Sequence, residues 1–322
     1  MSERTSLRRR AVVMGGAGFL GSHVCETLLG RGHEVVCLDN ESTGSDTNVA
    51  HLVGTDGFSY RQCDVTEEVD VPGRVDLVLQ LASPASPVDY LAMPLETMKV
   101  GSLGTMNGLD LAAREHARFV FASTSEVYGD PLEHPQRESY WGNVNPVGPR
   151  AVYDESKRFG EALTTAYRTS QGVDTGIVRI FNTYGPRMRT DDGRVVPTFL
   201  QQALAGEPLT VAGDGTQTRS LCYVDDTVRG IVAMAESPHS GPVNIGNTHE
   251  VTMLELAHHV IELTGSPSRI EFVDRPVDDP EKRRPDTSLA RELLDWAPQT
   301  DARTGLSRTI EWFSEALEAV GA

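Results

Sequence analysis

A glycine cluster set between a short apolar run and a helical pattern constrains this chain most. Ala11-Val12-Val13-Met14 leads directly into Gly15-Gly16-Ala17-Gly18-Phe19-Leu20-Gly21. Leu20, Val24, Leu28 and Leu29 then recur at helical spacing, and Glu34-Val35-Val36-Cys37-Leu38 is a second apolar run. The spacing Gly15-x-x-Gly18-x-x-Gly21, between strand and helix, is the setting in which such a loop cradles a pyrophosphate. Glycine permits the turn and the close backbone approach. The helix N-terminus adds free N–H groups and a partial positive charge. Taken alone the motif could be an ordinary glycine-rich turn; its context favours a nucleotide loop formed by Gly15, Gly18, Phe19, Leu20 and Gly21.

Asp39 ends the second strand, where a carboxylate accepts hydrogen bonds from the ribose hydroxyls of NAD. It would repel the 2′-phosphate of NADP, and no Arg or Lys follows before Arg61. NAD is therefore the expected cofactor, with Asn40 beside the ribose and Asp64-Val65 near the adenine. A strand-end Asp that only caps a turn is the alternative.

The alternation continues. Strands are expected at Val75–Leu81, Phe119–Ala122, Gly176–Ile180 and Val243–Ile245, and helices at Leu95–Glu115 and Tyr153–Gln171. Continuous apolar strands alternating with helices predict an α/β fold, a doubly wound parallel sheet covered on both faces. Residues 182–224 are loop-rich, 251–264 form an amphipathic helix, and 274–288 read as a Pro- and charge-rich loop. Two lobes are expected. The first is a nucleotide-binding domain over 1–181 with a return segment near 225–247. The second is a smaller substrate lobe from 182–224 and 248–322.

Asp plus Glu number 46 against 29 Lys plus Arg, a formal charge of −17. Such a surface repels nucleic acid and anionic lipid. Cys25, Cys37, Cys63 and Cys222 form no C-x-x-C pair and read as reduced thiols in a cytoplasmic setting. The apolar run after the basic Met1–Arg10 is too short for a signal peptide, and no stretch has membrane-spanning length. His258-His259 has no carboxylate at ligand spacing on its face, so no metal site is expected.

Tyr153-Asp154-Glu155-Ser156-Lys157 is Y-x-x-x-K, which puts Tyr153 and Lys157 on one helix face. A free tyrosine is a poor base at neutral pH. A nearby ammonium and a cationic nicotinamide would favour its phenolate, so Tyr153 could take a proton from a hydroxyl while hydride leaves the same carbon. Ser123-Thr124-Ser125-Glu126-Val127-Tyr128-Gly129 ends a strand, where ligands bind in doubly wound sheets. Thr124 could bond the substrate hydroxyl, and Glu126 brings charge. A helix surface and a strand-end turn are the plain alternatives for these two motifs.

With these residues in view, the chain resembles the extended short-chain dehydrogenase/reductase superfamily. Within it, the resemblance is to UDP-glucuronate decarboxylases, over about residues 11–315. The specific stretches are Leu81-Ala82-Ser83-Pro84-Ala85-Ser86-Pro87, Ser123 to Pro131, Glu138 to Pro146, Asn182-Thr183-Tyr184-Gly185-Pro186-Arg187-Met188, Asp192-Gly193-Arg194-Val195-Val196, Gln217-Thr218-Arg219-Ser220 and Arg283-Arg284-Pro285-Asp286.

The resemblance implies a Rossmann-type sheet and a reaction. C4 of the glucuronate is oxidised by NAD with Tyr153 as base, CO2 leaves the resulting β-keto acid, and the bound NADH re-reduces C4 to give UDP-xylose. It implies Thr124, Glu126, Tyr153, Lys157 and Arg283 as catalytic residues. It adds Leu81 and Ser83 to the cofactor set, and Lys99, Asn107, Ser125, Asn182, Arg187, Arg194, Arg219 and Tyr90 as substrate-binding. Arginines suit the diphosphate and carboxylate of such a substrate.

Sugar-nucleotide dehydratases carry Asp where this chain has Ser125, as an acid for a departing hydroxyl. A carboxylate leaving as CO2 needs none. A UDP-uronate or UDP-hexose 4-epimerase of the same fold is the nearest rival, and a non-catalytic NAD-binding scaffold a remote one. The resemblance also implies a homodimer, with Leu95–Glu115 and Tyr153–Gln171 of each copy forming a four-helix interface. The chain departs from the family at Glu41-Ser42-Thr43-Gly44-Ser45-Asp46, a loop with no cation.

Overall fold

In β1 (Arg10–Met14) successive side chains enter two different cores: Ala11 and Val13 join one, Val12 and Met14 the other. A strand buried on both faces has no need for polar residues at alternate positions, hence the continuous apolar runs. The computed structural model describes residues 8–275 and 282–321. The first residues of the basic N-terminus, 1–7, and part of the 274–288 loop, 276–281, lie outside the described residues.

After β1 the chain forms α1 (Phe19–Gly30), β2 (Glu34–Asp39), β3 (Phe58–Gln62), β4 (Leu77–Gln80), α2 (Pro87–Ala92), α3 (Pro94–Lys99), α4 (Thr105–Glu115), β5 (Arg118–Thr124), α5 (Ala151–Gln171) and β6 (Thr175–Ile180). There follow β7 (Thr183–Tyr184), α6 (Val195–Ala205), β8 (Leu209–Ala212), β9 (Thr218–Ser220), β10 (Cys222–Tyr223), α7 (Val224–Glu236) and β11 (Val243–Ile245). The last elements are β12 (Glu250–Thr252), α8 (Met253–Thr264), β13 (Ile270–Val273), β14 (Lys282–Arg283), α9 (Ser288–Leu294) and α10 (Ala302–Gly321).

The main sheet is parallel throughout, in the order β11-β6-β5-β4-β1-β2-β3. One core lies under Val24, Cys25 and Leu28 of α1 and Val228, Ile231 and Val232 of α7. The other lies under Leu109, Leu111 and Ala112 of α4. This is a Rossmann-type doubly wound sheet, whose order reverses at β1 and opens a crevice at the carboxyl ends of β1 and β4. Of three small sheets, β10-β7 precedes β11 in the chain, while β12-β9-β14 and β13-β8 take their strands from both sides of it. Phe199 and Leu200 of α6 and Leu256 and Val260 of α8 pack into the same core as α1 and α7.

One element departs from expectation. The single helix read over Leu95–Glu115 is α3, a π-helical segment Val100–Gly104, and α4. Gly101 lies there against Ser156 of α5; a Cβ at Gly101 would sit 2.6 Å from the Ser156 Cβ. The wider π turn accommodates this close approach and shifts the phase of the helix that follows.

Candidate active site

A cavity of about 760 Å³ opens along the carboxyl ends of the strands, between the main sheet and the small ones. Gly15 and Gly21 shape its first end. Gly15 is in the left-handed region, φ +77°, and a Cβ on Gly21 would lie 2.0 Å from the Gly15 carbonyl oxygen. Only glycine lets α1 start so close to β1. No side chain caps α1 at Gly18, so its first N–H groups are left for a ligand. Gly18, Phe19 and Leu20 line the cavity there.

Asp39 is buried at the end of β2. Its Oδ2 accepts the Ala17 N–H at 2.9 Å and its Oδ1 the Glu41 N–H at 2.8 Å, which ties the loop after β2 to the glycine loop. Burial pushes its carboxyl up, against those backbone hydrogen bonds. A carboxylate has lone pairs left for two ribose hydroxyls. Asn40, Asp64 and Val65 line the same end, and Leu81 and Ser83 the stretch leading to the centre. Asp64 accepts from the Thr66 N–H and hydroxyl at 2.9 and 2.8 Å. Burial raises its carboxyl, but the Thr66 hydrogen bonds and the Lys99 charge outweigh it. The uncapped helix start, the glycine cradle and the placed carboxylate fit a dinucleotide.

At the centre, Tyr153 and Lys157 project from α5. Tyr153 is buried and its ring stacks on Tyr90 of α2 at 5.2 Å. Burial pushes its hydroxyl up, while Thr124 pulls it down. The expectation joined the Lys157 ammonium to a cationic nicotinamide, and in the protein alone burial prevails at Tyr153. The Lys157 ammonium donates to the Ala122 carbonyl at 2.9 Å and lies 5.8 Å from the Tyr153 ring centre. Burial brings Lys157 down to about 8. Phenolate formation at Tyr153 thus has to draw on a second positive charge, which a nicotinamide carries.

Glu126 stands beside them on the turn Ser125–Tyr128, capped by Thr124, whose Oγ1 accepts the Glu126 N–H at 3.2 Å. Its carboxylate is clamped by two arginines: Arg283 of β14 on Oε1, and Arg150, at 2.6 Å, on Oε2. Burial alone would raise this carboxyl; Arg283 and then Arg150 outweigh it and hold it at about 2. Asp154, one residue past Tyr153, is buried with no hydrogen-bond partner on Oδ1. Burial first, and then the Glu126 charge, push it up to about 7.

Thr124, Ser125, Asn182, Arg194 and Arg219 all line the cavity. Arg194, at the start of α6, is bidentate to Asp192 and close enough to Tyr153 for each to shift the other. Arg219 of β9 lies in register beside Arg283. Tyr90 is part of the centre rather than of its margin.

Of the other residues expected at the substrate, Lys99 and Arg187 line the cavity and Asn107 does not. The Asn107 amide donates to the Val65 carbonyl at 2.9 Å and to the Glu67 carbonyl. It lies on α4 past the π segment, and these bonds brace the loop after β3. Lys99 lines the cavity on the Asp64 side. Arg187, in the left-handed region at φ +66°, donates to Glu26 of α1 at 2.6 Å, which places it on the glycine-loop side.

Arg150 and Asp154 were missed in the sequence. Arg150 lies three residues before Tyr153, a spacing that shares a helix face, and that signal was available. No sequence signal marked Asp154 as buried.

Residues 11–246 match the NAD dependent epimerase/dehydratase family, and the chain belongs to it. Curated proteins similar to it include UDP-glucuronic acid decarboxylases. UDP-glucuronic acid decarboxylase 1 of Arabidopsis thaliana is 52% identical over 310 residues, 96% of this chain and 71% of that protein. UDP-glucuronic acid decarboxylase 1 of Danio rerio is 49% identical over 311 residues, 97% of this chain and 74% of that protein. Solved structures are more distant in sequence. UDP-glucose 4-epimerase of Thermotoga maritima, with UDP-glucose, superposes with a TM-score of 0.88 at 28% identity, covering 96% of this chain and 99% of that one. UDP-glucuronic acid 4-epimerase of Bacillus cereus, with UDP-glucuronic acid and NAD, gives 0.83 at 27% identity, covering 95% and 99%.

Proposed function

We propose that the chain converts UDP-glucuronate to UDP-xylose and CO2, as a carboxy-lyase that uses NAD. The observation that carries this is the clamp of Arg150 and Arg283 on Glu126 beside Tyr153. Two guanidiniums against one carboxylate leave a net positive charge in the cavity, suited to a sugar that brings a carboxylate of its own. Similarity near 50% to UDP-glucuronic acid decarboxylases supports the same reading.

NAD, when bound, supplies reversible oxidation at C4, which makes the sugar a β-keto acid and later restores its hydroxyl. Gly15, Gly18, Phe19, Leu20 and Gly21 hold its pyrophosphate, and Asp39 its ribose. Tyr153 takes the proton from the C4 hydroxyl, with Thr124 orienting that hydroxyl and Lys157 adding positive charge. Arg150 and Arg283 share their charge between Glu126 and the sugar carboxylate. As CO2 departs, the electrons of the breaking bond flow into the C4 ketone, and the enolate so formed takes a proton at C5 before C4 is reduced again. Ser125 brings no acid for a departing hydroxyl, and in this reaction no hydroxyl departs. Asn182 and Arg219 hold the UDP part, with Arg194 near the sugar.

Mass spectrometry of UDP-glucuronate incubated with the protein tests this. A product lighter by one CO2, without net NADH, is expected. An unchanged mass with a shifted retention time would replace it with the epimerase reading.

A homodimer belongs to the same proposal. Leu95 and Met98 of α3, Leu103 of the π segment, Met106 of α4 and Phe159 of α5 are large, apolar and exposed. Together they make the kind of surface that a second copy covers. Sedimentation should give a dimer, and Phe159→Glu a monomer. A cytoplasmic setting is supported by four free cysteines, three of them buried. Among the described residues no helix is long and apolar enough to cross a membrane.

A further inference from the structure

Asn244 is a polar residue in the middle of the apolar strand β11, and it is fully buried. A buried amide persists only where its hydrogen-bonding capacity is used. Its Oδ1 accepts the Tyr128 hydroxyl at 2.8 Å. Its Nδ2 donates to the Gln136 and Asp286 carbonyls, each at 3.0 Å. Its backbone N–H donates to Glu138 Oε1 at 2.8 Å.

The three segments reached by its side chain matter more than the count. Tyr128 closes the turn that carries Glu126. Asp286 lies three residues beyond Arg283. Gln136 lies between them and is laced to the Arg283 segment. Its N–H donates to the Arg284 carbonyl at 2.9 Å, its Oε1 accepts the Arg284 N–H at 2.8 Å, and its carbonyl accepts the Asp286 N–H at 2.8 Å. Glu126 and Arg283 come from distant parts of the chain, and their ion pair bridges two segments that share no regular element. The Asn244 side chain bonds both the Glu126 turn, through Tyr128, and the Arg283 segment, through Asp286.

We infer that Asn244 is a positioning residue: it holds the turn of Glu126 and the segment of Arg283 at the spacing their clamp on the sugar carboxylate requires. It touches neither substrate nor cofactor. The inference rests on the decarboxylase reading. Tyr153 and Lys157 stand on α5 and are not bonded to the Asn244 side chain, so oxidation at C4 is separable from loss of CO2.

Asn244→Asp keeps the acceptor facing Tyr128 and sets a second acceptor against two carbonyls. Tyr128→Phe removes a single bond and is the gentler variant. Each is assayed in single-turnover experiments with NAD and UDP-glucuronate. The near-ultraviolet absorbance of reduced cofactor reports oxidation, released CO2 reports decarboxylation, and melting temperature reports folding. Asn244→Asp should leave the oxidation phase in place and slow CO2 release on the order of 100-fold, the scale of a misplaced catalytic group. Tyr128→Phe should show the same split with a smaller loss. Both phases falling by one factor, or CO2 release unchanged in a folded variant, would overturn the inference. If Asn244→Asp does not fold, the split in Tyr128→Phe decides. Parent protein that releases no CO2 overturns the decarboxylase reading instead, and with it this premise.

Discussion

The ring of Tyr90 lies flat against that of Tyr153, centroids 5.2 Å apart and planes 9° from parallel. Tyr90 is itself buried, and among the described residues its hydroxyl has no hydrogen-bond partner. The contact is thus one of ring on ring, and it fixes the plane in which the Tyr153 hydroxyl points.

Tyr90→Phe should therefore keep activity and lose little stability, since the hydroxyl it removes is unbonded. Tyr90→Ala should cost about 3–5 kcal/mol, as for a large buried aromatic, and lower kcat through a freed Tyr153. Urea denaturation and steady-state rates on the two variants check this. Equal rates for both would dismiss the ring contact as a catalytic support.

Tyr153→Phe keeps that stack and removes only the hydroxyl. Loss of general base catalysis should lower turnover roughly 10²–10⁴-fold. NAD binding, measured by calorimetry, should change little, because the glycine loop and Asp39 are untouched. Turnover near the parent rate would move the base elsewhere.

Glu126 has its carboxyl held at about 2, below an ordinary value of 4.5, because Arg283 and Arg150 outweigh burial. A depressed carboxyl contributes stability that is complete above its unfolded value and lost as pH falls through its folded one. Glu126→Gln should thus be less stable than the parent at neutral pH. The gap should narrow as pH falls from 4.5 toward about 2. Denaturation midpoints over that range measure it, and a gap constant with pH would contradict the clamp.

Asp154 behaves in the opposite sense. Its carboxyl is raised from 3.8 to about 7, chiefly by burial and next by Glu126. Between those values the folded protein binds the proton more tightly than the unfolded chain, so this residue costs stability as pH rises. Asp154→Asn should be as stable as the parent near pH 4 and more stable at pH 8. Melting temperatures at the two pH values give the comparison.

Six of the seven main-sheet strands were legible because they read as short apolar runs, while the edge strand β3, Phe-Ser-Tyr-Arg-Gln with no buried residue, carries no such run. Gly15-x-x-Gly18-x-x-Gly21, Asp39 and the Tyr153–Lys157 spacing are local signals, and all of these residues line the cavity. What escaped is non-local. The two- to four-residue strands of the small sheets are too short to show a period. The π segment depends on how closely α5 approaches Gly101, which no pattern in α3 or α4 records. Asn107 was named from the resemblance alone, and its amide bonds the Val65 and Glu67 carbonyls. Arg150 carried a spacing signal, but its meaning depends on Arg283, far along the chain, sharing Glu126.

The strands of the β12-β9-β14 sheet come from both sides of β11 in the chain, and β9 lies between β12 and β14. This sets an order of manufacture. As the chain is synthesised, the nucleotide loop, Glu126 and Tyr153 emerge early, and β9 emerges with neither of its neighbours. Arg219 waits for Arg283, its partner in register, until α7, β11 and α8 have been made. A chain interrupted before β14 would carry the dinucleotide end of the cavity and the tyrosine, but not the arginine that completes the clamp.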